Sequence, residues 1–181
     1  MKEKDILKRA GSLTFAILLM TGTGWPALAQ SDEIESHYSP AENLEHIDVG
    51  LIDSAEHEID FAAYALTDWP VIEAFPRAAD RGVEIKIYLD NSQLKKPSQP
   101  FQDLAETPTV SIRIKRESAF MQLKSYEIDR RLLRTGSANF SASGLKRQDN
   151  DLIIVRDAKA VEAFKRDFES TFEHGAILAL P

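Results

Sequence analysis

Short segments in which apolar and polar residues alternate place the strongest constraint on the fold. In VEIKIYLD, residues 83–90, the apolar side chains stand at every second position, and TVSIRIK, residues 109–115, repeats the pattern. A period of two residues gives a strand one apolar face that packs against a core. EIDFAAYAL (58–66) and DLIIVRD (151–157) are rich in β-branched and aromatic residues, which also favour strands. We therefore predict a β-sheet at the centre of the fold.

Helical patterns stand between these strands. Residues 40–55 and 68–82 place apolar side chains at helical spacing, a short helix is predicted near 101–105, and residues 158–175 form a final helix with one apolar face. Strands that alternate with helices predict a single α/β domain, a mixed β-sheet flanked by helices on both faces. The large side chains that we expect in its core are Trp69, Phe75, Phe164, Phe168 and Phe172.

The first thirty residues differ in kind from the rest of the chain. A basic start is followed by the apolar stretch SLTFAILLM and by Ala27-Leu28-Ala29, which is the pattern of a secretory signal peptide. The apolar stretch is short for a membrane span, although a retained N-terminal anchor is the alternative. We predict a signal peptide over 1–29, a flexible mature N-terminus over 30–39 and a folded domain over 40–176. The mature protein would be periplasmic or secreted, with no stable membrane span.

Charge is distributed unevenly along the chain. Losing residues 1–29 would remove four basic and two acidic residues from a net charge of −7, leaving about −9, which does not favour long-range attraction of nucleic acid or an anionic membrane. Residues 113–147, however, contain nine Lys or Arg against three acidic residues, so a phosphate could be accepted there. The chain has no cysteine, which excludes disulfides, thiolate metal sites and a cysteine nucleophile.

Candidate phosphate ligands stand close together in MQLKSYEIDRRLLRTGSANFS, residues 121–141. Lys124 offers a positive charge, while Ser137, Asn139 and the amides around Gly136 offer neutral donors for the charge that develops on phosphate oxygens. We predict two strands here, FMQLKSYEID and RRLLRTGS, joined by a turn. The polar residues would then emerge at a sheet edge, where binding sites commonly form. Taken alone, these residues are more often an ordinary turn.

The joint pattern is more specific than its parts. Lys124, Asp129 and the turn Gly136-Ser137-x-Asn139 resemble the signature of the phospholipase D superfamily, which is His-x-Lys-x4-Asp followed by Gly-Ser/Gly-x-Asn. The resemblance extends over residues 37–175 and implies a phospholipase D-like α/β/α sandwich.

The resemblance also implies a mechanism that needs neither a metal nor a cofactor. One histidine attacks phosphorus to give a phosphohistidine, a second protonates the leaving alcohol, and the motif lysine and asparagine hold the phosphate. Members with one motif copy, as here, form a homodimer with the site on the two-fold axis. The small members most similar to this chain act as nonspecific endonucleases or as phospholipases, so the implied substrate is a phospholipid or a nucleic acid.

The chain departs from the family signature at one position, because the histidine falls on Gln122. Glutamine can hydrogen-bond a phosphate oxygen, but it does not titrate near neutral pH and is not a useful nucleophile. The predicted catalytic positions are therefore Gln122, Lys124 and Asp129, and the phosphate ligands are Lys124, Ser137 and Asn139. Two functions follow: an exported, metal-independent phosphodiesterase, or a catalytically impaired homologue that binds phosphate or nucleic acid.

Several neighbouring residues carry further expectations. Tyr126 shares the strand face of Lys124 and is expected to line the site. The acidic residue that the family places behind its histidine corresponds to Asp149 or Asp151, and both assignments stay open. Asp129 has a second explanation as a turn residue. The histidines are distant in sequence from the motif: His46 and His57 are expected on the surface of the first helix, and His37 and His174 have no special partner visible in the sequence.

Overall fold

Eight strands form one mixed sheet in the structure, a computed structural model that describes residues 33–93, 99–116 and 119–178. In chain order they are β1 Ile34–Ser39, β2 Glu58–Ala63, β3 Glu84–Leu89, β4 Val110–Ile114, β5 Lys124–Ile128, β6 Leu132–Thr135, β7 Asn150–Val155 and β8 Ala176–Ile177. Their order across the sheet is β1-β7-β6-β5-β2-β3-β4-β8. The neighbours β2, β3 and β4 are parallel, and the other pairs are antiparallel. The predicted signal peptide lies outside the described residues.

Four of the five helices in the part of the chain that the structure describes begin where a polar side chain accepts a hydrogen bond from the first turn. The five helices are α1 Leu44–Asp53, α2 Trp69–Asp80, α3 Gln99–Ala105, α4 Ala142–Lys146 and α5 Ala158–His174, with a 3-10 turn at Asn91–Gln93. Asn43, Asp68, Ser141 and Asp157 cap α1, α2, α4 and α5 respectively. None of the helices in the described ranges is long and apolar enough to cross a membrane.

The two faces of the sheet are covered by different helices. Ile59 and Phe61 of β2 pack in a large apolar core to which α1, α2, α3 and α4 contribute. Ala62, pointing to the other face, packs with Phe168 and Phe172 of α5. This confirms the predicted single α/β domain with helices on both faces, because a period-two strand presents alternate residues to two layers.

Two expectations about the fold are wrong. Residues 34–39 of the segment predicted to be flexible form β1, which pairs antiparallel with β7 along its whole length. The sequence IESHYS carries little apolar signal because β1 is an edge strand whose side chains are mostly exposed or half-buried. Trp69 is 57% exposed rather than buried, since it opens α2 on the solvent side, whereas Phe75 is fully buried as expected. The short elements α4 and β8 were not anticipated.

Candidate phosphate-binding site

The register of β5 and β6 brings Lys124 and the Gly136 turn to the same end of the sheet. Tyr126 lies opposite Arg134 in this antiparallel pair, so Lys124 at the start of β5 lies level with Gly136 just beyond β6. A hydrogen bond of 2.9 Å between the hydroxyls of Ser125 and Thr135 supports that register. The sequence predicted that Lys124 and the Gly136 turn emerge together at an edge of the sheet, and the strand register places them at the same end.

Asp129 lies at the opposite end of β5, so the structure does not bring it to the lysine. Its carboxylate accepts hydrogen bonds from the backbone amides of Glu56 (3.0 Å), His57 (2.7 Å) and Glu58 (2.9 Å). Burial raises its pKa, but these bonds and the charge of Arg131 outweigh burial and leave the pKa below the usual value. The geometry gives Asp129 the turn role that was its second explanation, and a catalytic role remains a prediction.

Gln122 stands directly beside the lysine. The Lys124 ammonium donates to the backbone oxygen of Gln122 at 2.7 Å and lies 3.4 Å from its side-chain oxygen. The ammonium also lies 5.6 Å from the centre of the Tyr64 ring, and partial burial lowers its pKa. Gln122 is exposed and precedes β5. The sequence pattern had predicted that it lies within the strand, so this part of the prediction is wrong. The position of the family histidine is therefore adjacent to the lysine in space.

The turn after β6 is closed by its own hydrogen bonds. The Ser137 amide donates to Asp151 Oδ1 at 2.8 Å, and the Ser137 hydroxyl donates to Asn150 Oδ1 at 3.0 Å and accepts from the Asp151 amide at 3.0 Å. The bond from Ser137 lowers the pKa of Asp151. Of the two acidic candidates, Asp151 rather than Asp149 bonds to the turn. Only glycine fits at Gly136, because its φ is +139° and a Cβ there would lie 2.4 Å from the Asp151 backbone oxygen.

Asn139 occupies the inner side of the turn. Its side-chain oxygen is buried and has no hydrogen-bond partner among the described residues. The close approach of α4 holds its backbone, since a Cβ on Gly144 would lie 2.5 Å from the Asn139 carbonyl oxygen. Buried amide oxygens are usually paired and can only accept a hydrogen bond, so this one is suited to a donor such as a water molecule, not to a phosphate oxygen. An open cavity of about 450 Å³ lies next to the turn, lined by Tyr38, Ser39, Ser137, Asp149, Asn150 and Asp151.

The expectation that Tyr126 lines the site is wrong. Its side chain is fully buried, and its hydroxyl donates to Asp48 Oδ1 at 2.8 Å. The strand face that it shares with Lys124 points into the large core, and only the residue at the strand end reaches the surface. Sequence reasoning also missed the ion pair between Asp48 and Arg134, both fully buried. One sequence feature could have indicated the buried pair: Asp48 lies four residues from Leu44 and four from Ile52, so a charged residue stands on the apolar face of its helix.

A second charged cluster, the Asp68 cluster (Glu45, Asp68 and Lys146), lies behind the turn. The amide of Asp68 donates at 3.0 Å to the carbonyl oxygen of Phe140, the residue after Asn139. Lys146 pairs with Glu45 and lies 3.7 Å from Asp68 Oδ2. Burial, followed by the negative charge of Glu45, raises the pKa of Asp68 to about 6.

The four histidines lie at separate places around the sheet. The ring of His37 on β1 lies 2.8 Å from Glu42, and His46 is exposed on α1. His57 precedes β2 at the Asp129 end, and His174 ends α5 with its Nδ1 2.6 Å from the Ser170 oxygen. In the described ranges the side-chain polar partners of the histidines do not include Lys124, Ser137 or Asn139, and no group of three or more His, Asp or Glu residues forms a metal-binding arrangement.

The chain matches the family described as cardiolipin synthase, PLD-like domain, over residues 49–172. It is 28% identical over 136 residues to a phospholipase D of Rickettsia felis, covering 75% of this chain and 68% of that protein. It is 20% identical over 148 residues to a mitochondrial cardiolipin hydrolase of Chlamydomonas reinhardtii, covering 82% and 65% of the two chains.

Solved structures show the same fold. Nuc from Salmonella typhimurium, a phospholipase D family member, superposes with a TM-score of 0.72 at 20% identity, covering 81% of this chain and 98% of Nuc. NucT from Helicobacter pylori gives a TM-score of 0.71 at 19% identity, covering 81% of this chain and all of NucT (100%). The family match spans more than half of the chain and includes the lysine and asparagine of its one motif copy. The chain belongs to the phospholipase D superfamily of phosphodiesterases, in its small single-motif branch.

Proposed function

We propose that the sheet end carrying Lys124 binds the phosphate of a phosphodiester, and that the natural chain hydrolyses the diester poorly. The contact between the Lys124 ammonium and Gln122 carries this proposal, since it puts an amide beside the lysine where the family has its nucleophile. An amide neither attacks phosphorus nor protonates a leaving alcohol near neutral pH. Each of these two roles contributes on the order of 10²-fold or more to the rate, so losing both removes most of the catalysis.

Hydrolysis by this chain itself is the second candidate. The rest of the motif favours it, because Lys124, the tight turn at Gly136 and the carboxylate of Asp151 against Ser137 are all retained. In this case another group at the same end of the sheet would activate the diester or water, without a metal or a cofactor. The substrate in either case is a phospholipid or a nucleic acid. The acidic chain weighs against nucleic acid, since its net charge is −7.

A homodimer with the site at its two-fold axis is part of the proposal. The chain carries one copy of the motif, and two large apolar side chains are exposed next to Lys124: Phe120 is 64% exposed and Leu123 is 39% exposed. Phe120 packs edge-on against Tyr64, with ring centres 6.2 Å apart. A second copy would cover these side chains and bring two phosphate sites together. The pattern of residues 1–29 supports export to the periplasm or the medium.

One set of variants tests the site and its chemistry. The natural protein, Gln122→His, Lys124→Ala and the double variant are assayed with bis(4-nitrophenyl) phosphate, plasmid DNA and phospholipid vesicles in EDTA, with mass measured by light scattering. We expect a dimer in which the natural chain turns over no faster than Lys124→Ala. Gln122→His should raise hydrolysis by about 10²-fold or more, and only when Lys124 is present.

Two results would overturn parts of this proposal. A natural chain that hydrolyses any of these diesters within tenfold of Gln122→His would establish the second candidate. Failure of the natural chain to bind diethyl phosphate in an NMR titration, with no difference from Lys124→Ala, would remove the phosphate site altogether. A monomer at micromolar concentration would remove the two-fold site.

A further inference from the structure

A fully buried arginine lies beneath the candidate site. The Arg134 guanidinium donates through Nε (2.8 Å) and Nη2 (2.9 Å) to the two carboxylate oxygens of Asp48, and neither side chain has solvent exposure. The hydroxyl of Tyr126 donates to the same carboxylate. A buried ion pair costs so much desolvation that apolar residues of similar volume are often equally stabilising. Stability alone is therefore a weak reason for this arrangement, and its other contacts are informative.

The third donor of Arg134 reaches the lysine. Nη1 donates to the backbone oxygen of Lys124 at 2.8 Å. The preceding carbonyl, of Leu123, accepts from the Tyr64 amide of the neighbouring chain segment. Successive carbonyls of a strand point to opposite sides, so the Lys124 oxygen faces β6, whose pairing with β5 begins only at Tyr126. The arginine side chain thus supplies the hydrogen bond at the point where the ladder ends.

The flat face of the same guanidinium packs against the turn. Its central carbon lies 4.5 Å from the centre of the Phe140 ring, and Phe140 directly follows Asn139. The carbonyl of Phe140 is itself held by the amides of Thr67 and Asp68 at 2.8 and 3.0 Å. An arginine stacked on an aromatic ring in a dry environment is held in position by cation–π attraction. One buried group therefore contacts the backbone of the lysine and the residue after the asparagine.

We propose that Arg134, oriented by Asp48, is a positioning residue that sets the spacing between Lys124 and Asn139 so that one phosphate meets both. This inference rests on the proposed function of those two residues as phosphate ligands. Arg134 is buried and does not touch the phosphate. The planar fork is essential, because three donors and one stacking face hold three partners at once: the Asp48 carboxylate, the Lys124 carbonyl and the Phe140 ring.

The test compares two changes at Arg134 with a matched arginine elsewhere. Asp48→Leu/Arg134→Met replaces both buried charges with apolar groups, and Arg134→Lys keeps the charge but lacks the fork. Arg113→Met is the control, because Arg113 also stacks on a ring, Phe172 at 4.8 Å, and bonds carbonyls at the end of α5. Each full-length protein is titrated with diethyl phosphate by NMR, which follows the dissociation constant and the Lys124 Cε resonance.

We expect both Arg134 variants to weaken diethyl phosphate binding at least tenfold, while the thermal midpoint of Arg134→Lys stays within a few degrees of that of the natural protein. The Lys124 pKa, lowered by burial, should move toward its ordinary value in both variants and stay in place in Arg113→Met. Unchanged affinity in a folded Arg134→Lys protein would overturn the inference and leave the proposed function intact. Absence of binding by the natural protein would overturn both.

Discussion

Replacing Asp68 with asparagine should make the protein more stable at neutral pH. Asp68 caps α2 and accepts a long hydrogen bond, 3.4 Å, from the Val71 amide, and asparagine caps helices about as well as aspartate. The side chain is almost fully buried, and burial, followed by the charge of Glu45, raises its pKa from 3.8 to about 6. The variant removes a buried negative charge and keeps the cap.

The direction of the effect follows from proton linkage. Because the folded protein binds this proton more tightly than the unfolded chain does, the group supports stability at low pH. Its contribution is complete below about pH 4 and is lost as the pH rises through about 6. A pKa rise from 3.8 to about 6 corresponds to about 3 kcal/mol of lost stability at neutral pH. Lys146 loses one neighbour in the variant, so we expect a net gain of about 1–2 kcal/mol at pH 7.5.

Urea unfolding at pH 4.0 and pH 7.5 measures this difference. Asp157→Asn is the matched control, because Asp157 caps α5 in the same way, accepting from the Ala160 amide at 2.8 Å, but is exposed. We expect the free energy of unfolding of Asp68→Asn, relative to the natural protein, to rise between the two pH values, and that of the control to stay constant. The reasoning is refuted if Asp68→Asn is less stable than the natural protein at pH 7.5, since its carboxylate would then stabilise the fold through Lys146.

Two further variants probe the opposite end and the opposite face of the sheet. In Asp129→Asn the asparagine tolerates the positive φ of 52°, but three backbone hydrogen bonds to the side chain are weakened. We expect the free energy of unfolding in urea to fall by about 2 kcal/mol and the binding of diethyl phosphate to stay unchanged. Loss of binding by the folded variant would give Asp129 a direct role at the site. Lys165→Met leaves the buried carboxylates of Asp60 and Glu127 without the ammonium that lies 2.8 and 3.2 Å from them. The free energy of unfolding should fall by about 3–5 kcal/mol at pH 7. Because burial raises the pKa of both carboxyls, that loss should shrink at pH 4, and a pH-independent loss would contradict this account.

The main elements of the fold could be predicted because their signals are local. The alternation in β3 and β4 and the apolar faces of α1, α2 and α5 arise from residues within a few positions of one another. β1 could not be recognised, since an edge strand buries little and its pairing with β7 involves a segment more than a hundred residues away. The exposure of Trp69 likewise depends on which side of α2 faces the sheet.

The sequence by itself determined the chemistry that the site can carry. The order of Lys124, Gly136 and Asn139 predicts a phosphate site through its resemblance to the family motif, and Gln122 at the position of the family histidine offers no titratable nucleophile, because both predictions depend only on residue type and order. The tertiary structure alone decided which groups act together. It separated Asp129 from Lys124 by the length of β5, since a strand holds its two ends apart at about 3.3 Å per residue.

Tertiary structure also created the buried charge pairs. Asp48 and Arg134 are 86 residues apart in the chain, and Lys165 and Asp60 are 105 apart. No local pattern pairs residues at such distances, because their contact depends on how helices and strands pack across the sheet. Charges buried in this way interact strongly, since little water screens them. The sequence therefore predicts the ligands of the candidate site, and the packed fold sets their spacing.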